Sequence, residues 1–434
     1  MLFGIVTTSY PRFPGDAAGG FVQGLGRYLE EQGHELRVVC AGETTDEPAA
    51  EMRAEATQEN VVRLPSPLFY QGGAPDVLAG GFAHDVLRTA CLAGTFSMAM
   101  FRAIGRALSG CDGLISHWLV PSSMMATLAL PKVPHVAVAH SSDIHLLRRF
   151  RATALVRFLS KRARLVYTAE HLMVPGAHGV VVPMGIRVAD FAVTDAERQQ
   201  AKATLGATKK TVLFLGRLVR VKGLFELLEA FEQVCKTTQA DLWIAGDGPL
   251  SEALSAQVQA RGLPVRMFGA VGPDAKRQLL AAADVLALPS LQLPDGRTEG
   301  APVVLWEALA AGVPVVASSV GGIEAMLGGA GLVVKGGQPK GLAEVLPEAL
   351  ADALLRVLTD DTLAHALRLA GRQRAQVADW SQVAPRILFP QWVSQKTQHL
   401  GLPQPSARNP AVCASKMHAA IRKPHLHKAS RRYK

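Results

Sequence analysis

The sequence predicts an α/β protein of two doubly wound domains, and three observations lead there. At 434 residues the chain exceeds what one hydrophobic core usually covers. Short apolar runs alternate with stretches of helical period, the pattern of parallel sheets flanked by helices. Several of the runs end in loops rich in Gly, Pro and Ser, at the strand ends where open parallel sheets hold ligands.

Composition narrows the class. No apolar run reaches the ~18–20 residues of a membrane span. The longest, Cys91 to Phe101, is followed at once by Arg102. Met1 to Val6 has no basic region and no cleavage site, so it reads as a first strand and not as a signal peptide. Five cysteines without a C-x-x-C pair point to reduced thiols in a cytoplasm. The formal charge of +10 is concentrated at one end: Gly401 to Lys434 holds eight Lys and Arg and no acid, and ten minus eight leaves +2 for the rest. A nearly neutral body argues against nucleic acid as a partner.

Leu2 to Val6 is the first strand, Thr7 to Gly20 a loop, Phe21 to Gln32 a helix and Glu35 to Cys40 the second strand. Gly19 and Gly20 either let a ligand approach the backbone or only turn the chain. Gly24 and Gly26 lack the third glycine of a dinucleotide fingerprint, which excludes a dehydrogenase. Glu43 to Gly81 is polar around a strand at Val61 to Leu64, and acceptor recognition is expected there. A helix spans about His84 to Leu108. Strands at Gly113 to Ser116 and Pro134 to Ala139 follow, the latter ending in His140, which either meets a ligand at that strand end or is a satisfied core histidine. His117 is read as structural, and Asp143 as a helix cap. The next helix, Leu146 to Arg164, carries Arg148, Arg149, Arg151, Arg157, Lys161, Arg162 and Arg164 and no acid. It is either a solvated face or a contact with an anionic membrane surface.

Leu165 to Thr168 and Val180 to Val182 are short strands, and Pro183-Met-Gly185-Ile follows them. Domain limits of 1–185 and 186–378 follow, with an amphipathic segment at 379–400 and a basic tail at 401–434 for which disorder is the default. Thr211 to Leu215 is a strand ending in Gly216-Arg217-Leu-Val-Arg220-Val-Lys222-Gly223. Arg217 and Lys222 leave this loop where a diphosphate would sit, Arg forking onto its oxygens and Lys acting as a point charge. Strands at Asp241 to Ala245, Val265 to Phe268 and Val285 to Leu288 follow. The turn Gly246-Asp247-Gly248-Pro249 is read as structural, and Lys276 to Ala283 as a helix.

The stretch Arg297 to Gly312 carries the densest chemistry. Glu299 precedes a helix that opens at Gly300-Ala301-Pro302, with Pro302 at its first position, and Glu307 lies within it. A helix mouth offers free N–H groups and part of a positive charge, a seat for phosphate. The two carboxylates can then accept from hydroxyls on either side of that phosphate, as a nucleotide sugar would present them.

Over roughly Met1 to Ala378 these motifs resemble the family-4 glycosyltransferases, which have the GT-B fold of two Rossmann-like domains facing across a cleft. The Glu-x7-Glu pair, the Gly-Arg-Leu…Lys-Gly loop and His140-Ser-Ser-Asp143, where Ser141 replaces the family's glycine, carry the likeness. It implies that Glu299 and His140 meet the donor sugar, Glu307 the ribose, and Arg217 and Lys222 the pyrophosphate. It also implies that the loop with Gly19 and Gly20 faces donor and acceptor, that the chain leaves the first domain near Pro183-Met-Gly185-Ile, and that the helix at 379–400 crosses back to the first domain. The implied activity is retaining, hexosyltransferase-type transfer from a nucleotide diphosphate sugar to a glycan, lipid-linked or small-molecule acceptor. The expected location is cytoplasmic, at the inner face of the membrane where peripheral. No Asp-x-Asp pair occurs in the chain, so metal-independent chemistry without a cofactor is expected. A nucleotide-sugar epimerase of the same fold and a non-catalytic nucleotide-sugar-binding protein are the alternatives.

Overall fold

The computed structural model describes residues 1–13, 16, 18–42, 60–66, 86–335, 345–390 and 392. Met1–Pro390 is one compact unit; of the second unit, Gln391–Lys434, only Trp392 is described. The basic tail, most of the expected acceptor region Glu43 to Gly81, Pro14 and Gly15 lie outside the described residues.

Among the described residues, the first sheet is formed by β1 (Leu2–Thr7), β2 (Glu35–Gly42), β3 (Val61–Pro65), β4 (Gly113–His117), β5 (His135–Ala139), β6 (Arg164–Tyr167) and β7 (Val180–Val181). All pair in parallel, in the order β3-β2-β1-β4-β5-β6-β7. The helices of this half are α1 (Gly20–Glu31), α2 (Val86–Ala107), α3 (Met124–Ala129), α4 (Ser141–Arg149) and α5 (Ala154–Ser160). The second sheet is formed by β8 (Lys210–Leu215), β9 (Ala240–Ala245), β10 (Val265–Gly269), β11 (Val285–Leu288), β12 (Val315–Ser318) and β13 (Leu332–Val334), in the parallel order β10-β9-β8-β11-β12-β13. Its helices are α6 (Val188–Phe191), α7 (Asp195–Leu205), α8 (Leu224–Thr237), α9 (Ser251–Arg261), α10 (Pro273–Ala282), α11 (Val303–Ala310), α12 (Ile323–Leu327), α13 (Val345–Thr359) and α14 (Asp361–Ala375); α15 (Trp380–Ile387) follows.

The central strands are buried along nearly their whole length, as parallel strands covered on both faces must be. Each sheet reverses its strand order once, between β1 and β4 and between β8 and β11. Such switch points open a crevice at the C-terminal strand ends.

Two backbone crossings join the halves side by side. The Ile186 N–H donates to the Ala378 carbonyl (2.8 Å), and the Trp380 N–H to the Ile186 carbonyl (3.0 Å). The Trp380 indole lies on Gly24 and Gly185, where any Cβ would crowd it. Arg164 donates to the Ile387 and Arg386 carbonyls (3.0 Å each), which sets α15 against the first half.

Three details differ from expectation. The basic stretch Leu146 to Arg164 is two helices and not one, because α4 ends in a left-handed turn at Arg151 (φ +53°). Pro302 precedes α11 in an extended conformation (ψ 113°) and does not occupy its first turn. Asp143 is not itself the cap residue: His140 is, and Asp143 accepts from its backbone N–H.

Candidate active site

The second half supplies a charged wall at its switch point. The loop after β8 is wedged between its neighbours. Gly246 packs on the Gly216 carbonyl and Gly223 (φ +67°) on the Pro289 carbonyl, and a Cβ at either would overlap that oxygen. The Gly246–Gly248 turn, read as structural, is therefore the buttress of this loop. The wedge aims Lys222 across the crevice, where its Nζ lies 2.8 Å from Glu299 Oε2. Arg217 stands exposed at the loop's rim, while Arg220 is held by Glu226 (2.9 and 2.5 Å).

Glu299 is positioned from behind. Gly321 (φ +60°) packs on its carbonyl with no room for a Cβ, and the Gly322 N–H donates to the Gly300 carbonyl (2.9 Å). Nothing in the sequence assigned a role to this Gly-Gly pair. Ala301 and Pro302 lead into α11, whose Leu305, Trp306, Ala308, Leu309 and Ala310 are all buried. Glu307 is the one charge on this helix, and a buried carboxylate needs a partner. It has Lys276 of α10, at 2.6 Å. Sequence reading missed Lys276. Its only signal was a basic residue in the first helical turn after a glycine-bounded strand end.

The first half supplies an aromatic wall. His117 pairs in register with Val138, and His140 lies two residues on, so both rings rise from one face of the sheet. His117 Nδ1 and His140 Nε2 are 3.2 Å apart. Trp118 and Phe21 pack on His140, with ring centres 4.7 and 5.3 Å away. Phe21 follows Gly19 (φ +66°) and Gly20, which places the glycine loop beside this cluster. Burial keeps both histidines neutral, pushing His140 down to about 3 and His117 well below the ordinary range. His117 Nε2 is buried and, among the described residues, has no partner. An orphaned N–H costs more than an orphaned lone pair, so the His117 proton belongs on Nδ1, donated to His140. His140 then carries its own proton on Nδ1.

Asp143 fastens the two strand ends together. It accepts from the backbone N–H groups of Leu119 (2.6 Å), His140 (2.9 Å) and Ile144 (2.9 Å). Burial pushes its carboxyl up to about 7 against the opposing pull of these bonds. The two walls meet at Ser141, whose hydroxyl donates to the Thr298 carbonyl (2.8 Å), next to Glu299. A Cβ at Gly300 would lie 3.2 Å from the Ser141 Cβ, so glycine there permits this approach.

Lys222, Glu299, Gly300, Ser141 and His140 thus gather at one place, with Glu307 and Lys276 further along the second half. A cavity of about 760 Å³ lies behind the Gly321–Gly322 turn, between the crossing segment and α12, lined by His171, Trp306 and Arg374 and by none of the predicted site residues. Among the described residues no group of three His, Cys, Asp or Glu stands close enough to share a metal ion.

The description glycosyl transferases group 1 belongs to the family that matches residues 195–374. The phosphatidyl-myo-inositol mannosyltransferase of Mycobacterium leprae is 30% identical over 355 residues, 78% of this chain and 88% of that protein. In fold the chain is similar to sucrose-phosphate synthase from Thermosynechococcus elongatus, with a TM-score of 0.67, 19% identity and coverage of 92% of this chain and 99% of that one. It is similar too to Anabaena HepE in complex with UDP-glucose, with a TM-score of 0.58, 17% identity and the same 92% and 99% coverage. The two parallel-sheet halves are the GT-B architecture, and the chain belongs to the group 1 glycosyltransferases.

Proposed function

We propose that this glycosyltransferase moves a hexose from a nucleotide diphosphate sugar to an acceptor hydroxyl, with retention of anomeric configuration and without a metal. The observation that carries the reading is the Lys222–Glu299 pair, a cation for the diphosphate set 2.8 Å from an acceptor for sugar hydroxyls. Glu307 and Lys276 are assigned to the nucleoside, Arg217 to the outer diphosphate oxygens, and His140 to the sugar. Gly216, Gly300, Ala301 and Pro302 let the phosphates approach backbone, and Gly19 and Gly20 face the sugar from the other side. The acceptor oxygen bonds to the anomeric carbon on the face that the diphosphate leaves. The C–O bond breaks with its electron pair on the diphosphate, and a diphosphate oxygen takes the acceptor proton. Arg217 and Lys222 neutralise the charge that develops.

The acceptor is taken to be a glycan or a lipid-linked molecule, in line with the relative that bears the name of a phosphatidyl-myo-inositol mannosyltransferase. The cytoplasm, at the inner membrane face, is the proposed location. The test is thermal stabilisation by UDP-, GDP-, ADP- and TDP-sugars, with and without EDTA. A donor at 100 times its dissociation constant should add ~2.7 kcal/mol. A shift with one base that survives EDTA supports the reading. Silence across the panel, or a shift abolished by EDTA, overturns it.

A further inference from the structure

The seven basic residues between Leu146 and Arg164 sort into two groups. Arg148 donates to the His171 and Met173 carbonyls, Arg157 to the Pro175 carbonyl and Arg164 to α15, so these three tie neighbouring backbone together. Arg149, Arg151, Lys161 and Arg162 are exposed, and among the described residues none of them enters an ion pair. No acid lies between Leu146 and Arg164 to offset them.

Two of these cations, Arg149 and Arg151, flank an apolar residue in the chain, and the other two follow the end of α5. Phe150, at the end of α4, is 56% exposed, and Leu155, in the first turn of α5, is 38% exposed. Leu155 and the half-buried Phe158, at i and i+3, lie on one side of α5, with Arg162 in the turn just after the helix, while Val156 and Leu159 face the core. The Arg162 guanidinium covers the Phe158 ring at 3.9 Å. The turn between the helices is a Schellman motif, with the Ala152 N–H bonded to the Leu147 carbonyl (2.7 Å) and the Arg151 N–H to the Arg148 carbonyl (3.1 Å). Its left-handed position would ordinarily be glycine; here it is Arg151, at φ +53°. The turn therefore projects a cation beside an exposed Phe at the tip.

We propose that this α4–α5 tip is a docking surface for an anionic phospholipid bilayer, with Phe150 and Leu155 entering the headgroup region and Arg149, Arg151, Lys161 and Arg162 facing lipid phosphates. Nucleic acid would satisfy the cations but not the exposed apolar surface of Phe150 and Leu155; a bilayer satisfies both. The tip is one short helix from the cleft, since α4 begins at Ser141 and its nine residues span about 14 Å. Seating it on a membrane brings headgroup-level hydroxyls to the rim of the cleft, which selects a lipid-anchored acceptor. That last step rests on the proposed transferase reaction, whereas the docking surface itself is read without any donor.

The test is sedimentation of the full chain with phosphatidylcholine vesicles, with and without phosphatidylglycerol. Each basic residue at an anionic surface contributes about fivefold in affinity. Arg149→Glu with Arg151→Glu should therefore weaken binding by at least about 25-fold, at an unchanged melting temperature. Phe150→Trp should be quenched by brominated acyl chains beyond the wild-type level. Three results would overturn the proposal: vesicle binding that the charge reversal leaves unchanged, which assigns it to the basic tail; no added quenching at position 150; or loss of duplex RNA binding, and not of vesicle binding, in the double variant. Donor-induced stabilisation should persist in the double variant, so failure of docking and failure of the transferase reading remain distinct.

Discussion

At the scale of single residues, the two glutamates have different surroundings and so different expected roles. Glu299 faces Lys222 at the meeting of the two walls, while Glu307 sits within α11 against Lys276. Hydrogen bonds to charged groups contribute about 1.5–3 kcal/mol each, or about 10–100-fold in affinity. Glu307→Gln keeps the volume of the side chain and should weaken nucleoside diphosphate binding by that factor in calorimetric titration. Glu299→Gln should leave nucleoside diphosphate binding nearly unchanged and lower the rate of sugar transfer by about as much. Equal losses in both assays for both variants would refute the division. Both carboxylates were legible in the sequence because loop-then-helix spacing is local. Their lysine partners differ in this respect. Lys222 lay inside a recognised loop, but Lys276 is 31 positions from Glu307 and only packing brings them together.

At the scale of elements, most strands and helices followed from hydrophobic period and turn residues. The break between α4 and α5 did not, because Phe150 to Thr153 contains no glycine or proline to mark it. His117 shows the same limit: its position at a strand end was legible, but its contact with His140 depends on the β4–β5 register. One tertiary fastener was equally hidden. Arg198 of α7 is buried and donates to the carbonyls of Ala281 (2.8 Å), Ala283 (3.2 Å) and Ala311 (2.9 Å), stitching together the ends of α10 and α11, which carry Lys276 and Glu307. Arg198→Met should lower unfolding stability by about 1.5–3 kcal/mol, measured by urea titration. A variant as stable as the parent would show that water satisfies those carbonyls equally well.

At the scale of the molecule, buried histidines couple stability to pH. His135, bonded to Ser116 (2.7 Å) and Thr127 (3.1 Å), is pushed down to about 4 by burial, and His117 and His140 are lowered for the same reason. An unfolded histidine binds protons near 6.5, so between about 4 and 6.5 the unfolded chain holds more protons at these sites. Their contribution is complete above 6.5 and is lost as pH falls, by up to about 1.4 kcal/mol per histidine per pH unit. Asp143, raised to about 7, acts in the opposite direction over the same range and offsets one of them. The melting temperature should fall between pH 6.5 and 5, and His135→Gln should flatten that slope. A profile unaffected by the substitution would remove His135 from the account. The sequence by itself determined the alternation of strands and helices and the loops that carry Arg217, Lys222, Glu299, Glu307 and His140, because spacing, turn residues and apolar period are properties of neighbours along the chain. The tertiary structure decided which of those loops share a crevice, which lysine neutralises each carboxylate, and that Ser141 reaches across to Thr298. These depend on strand order and on contacts between residues up to 157 positions apart, distances at which local pattern carries no register.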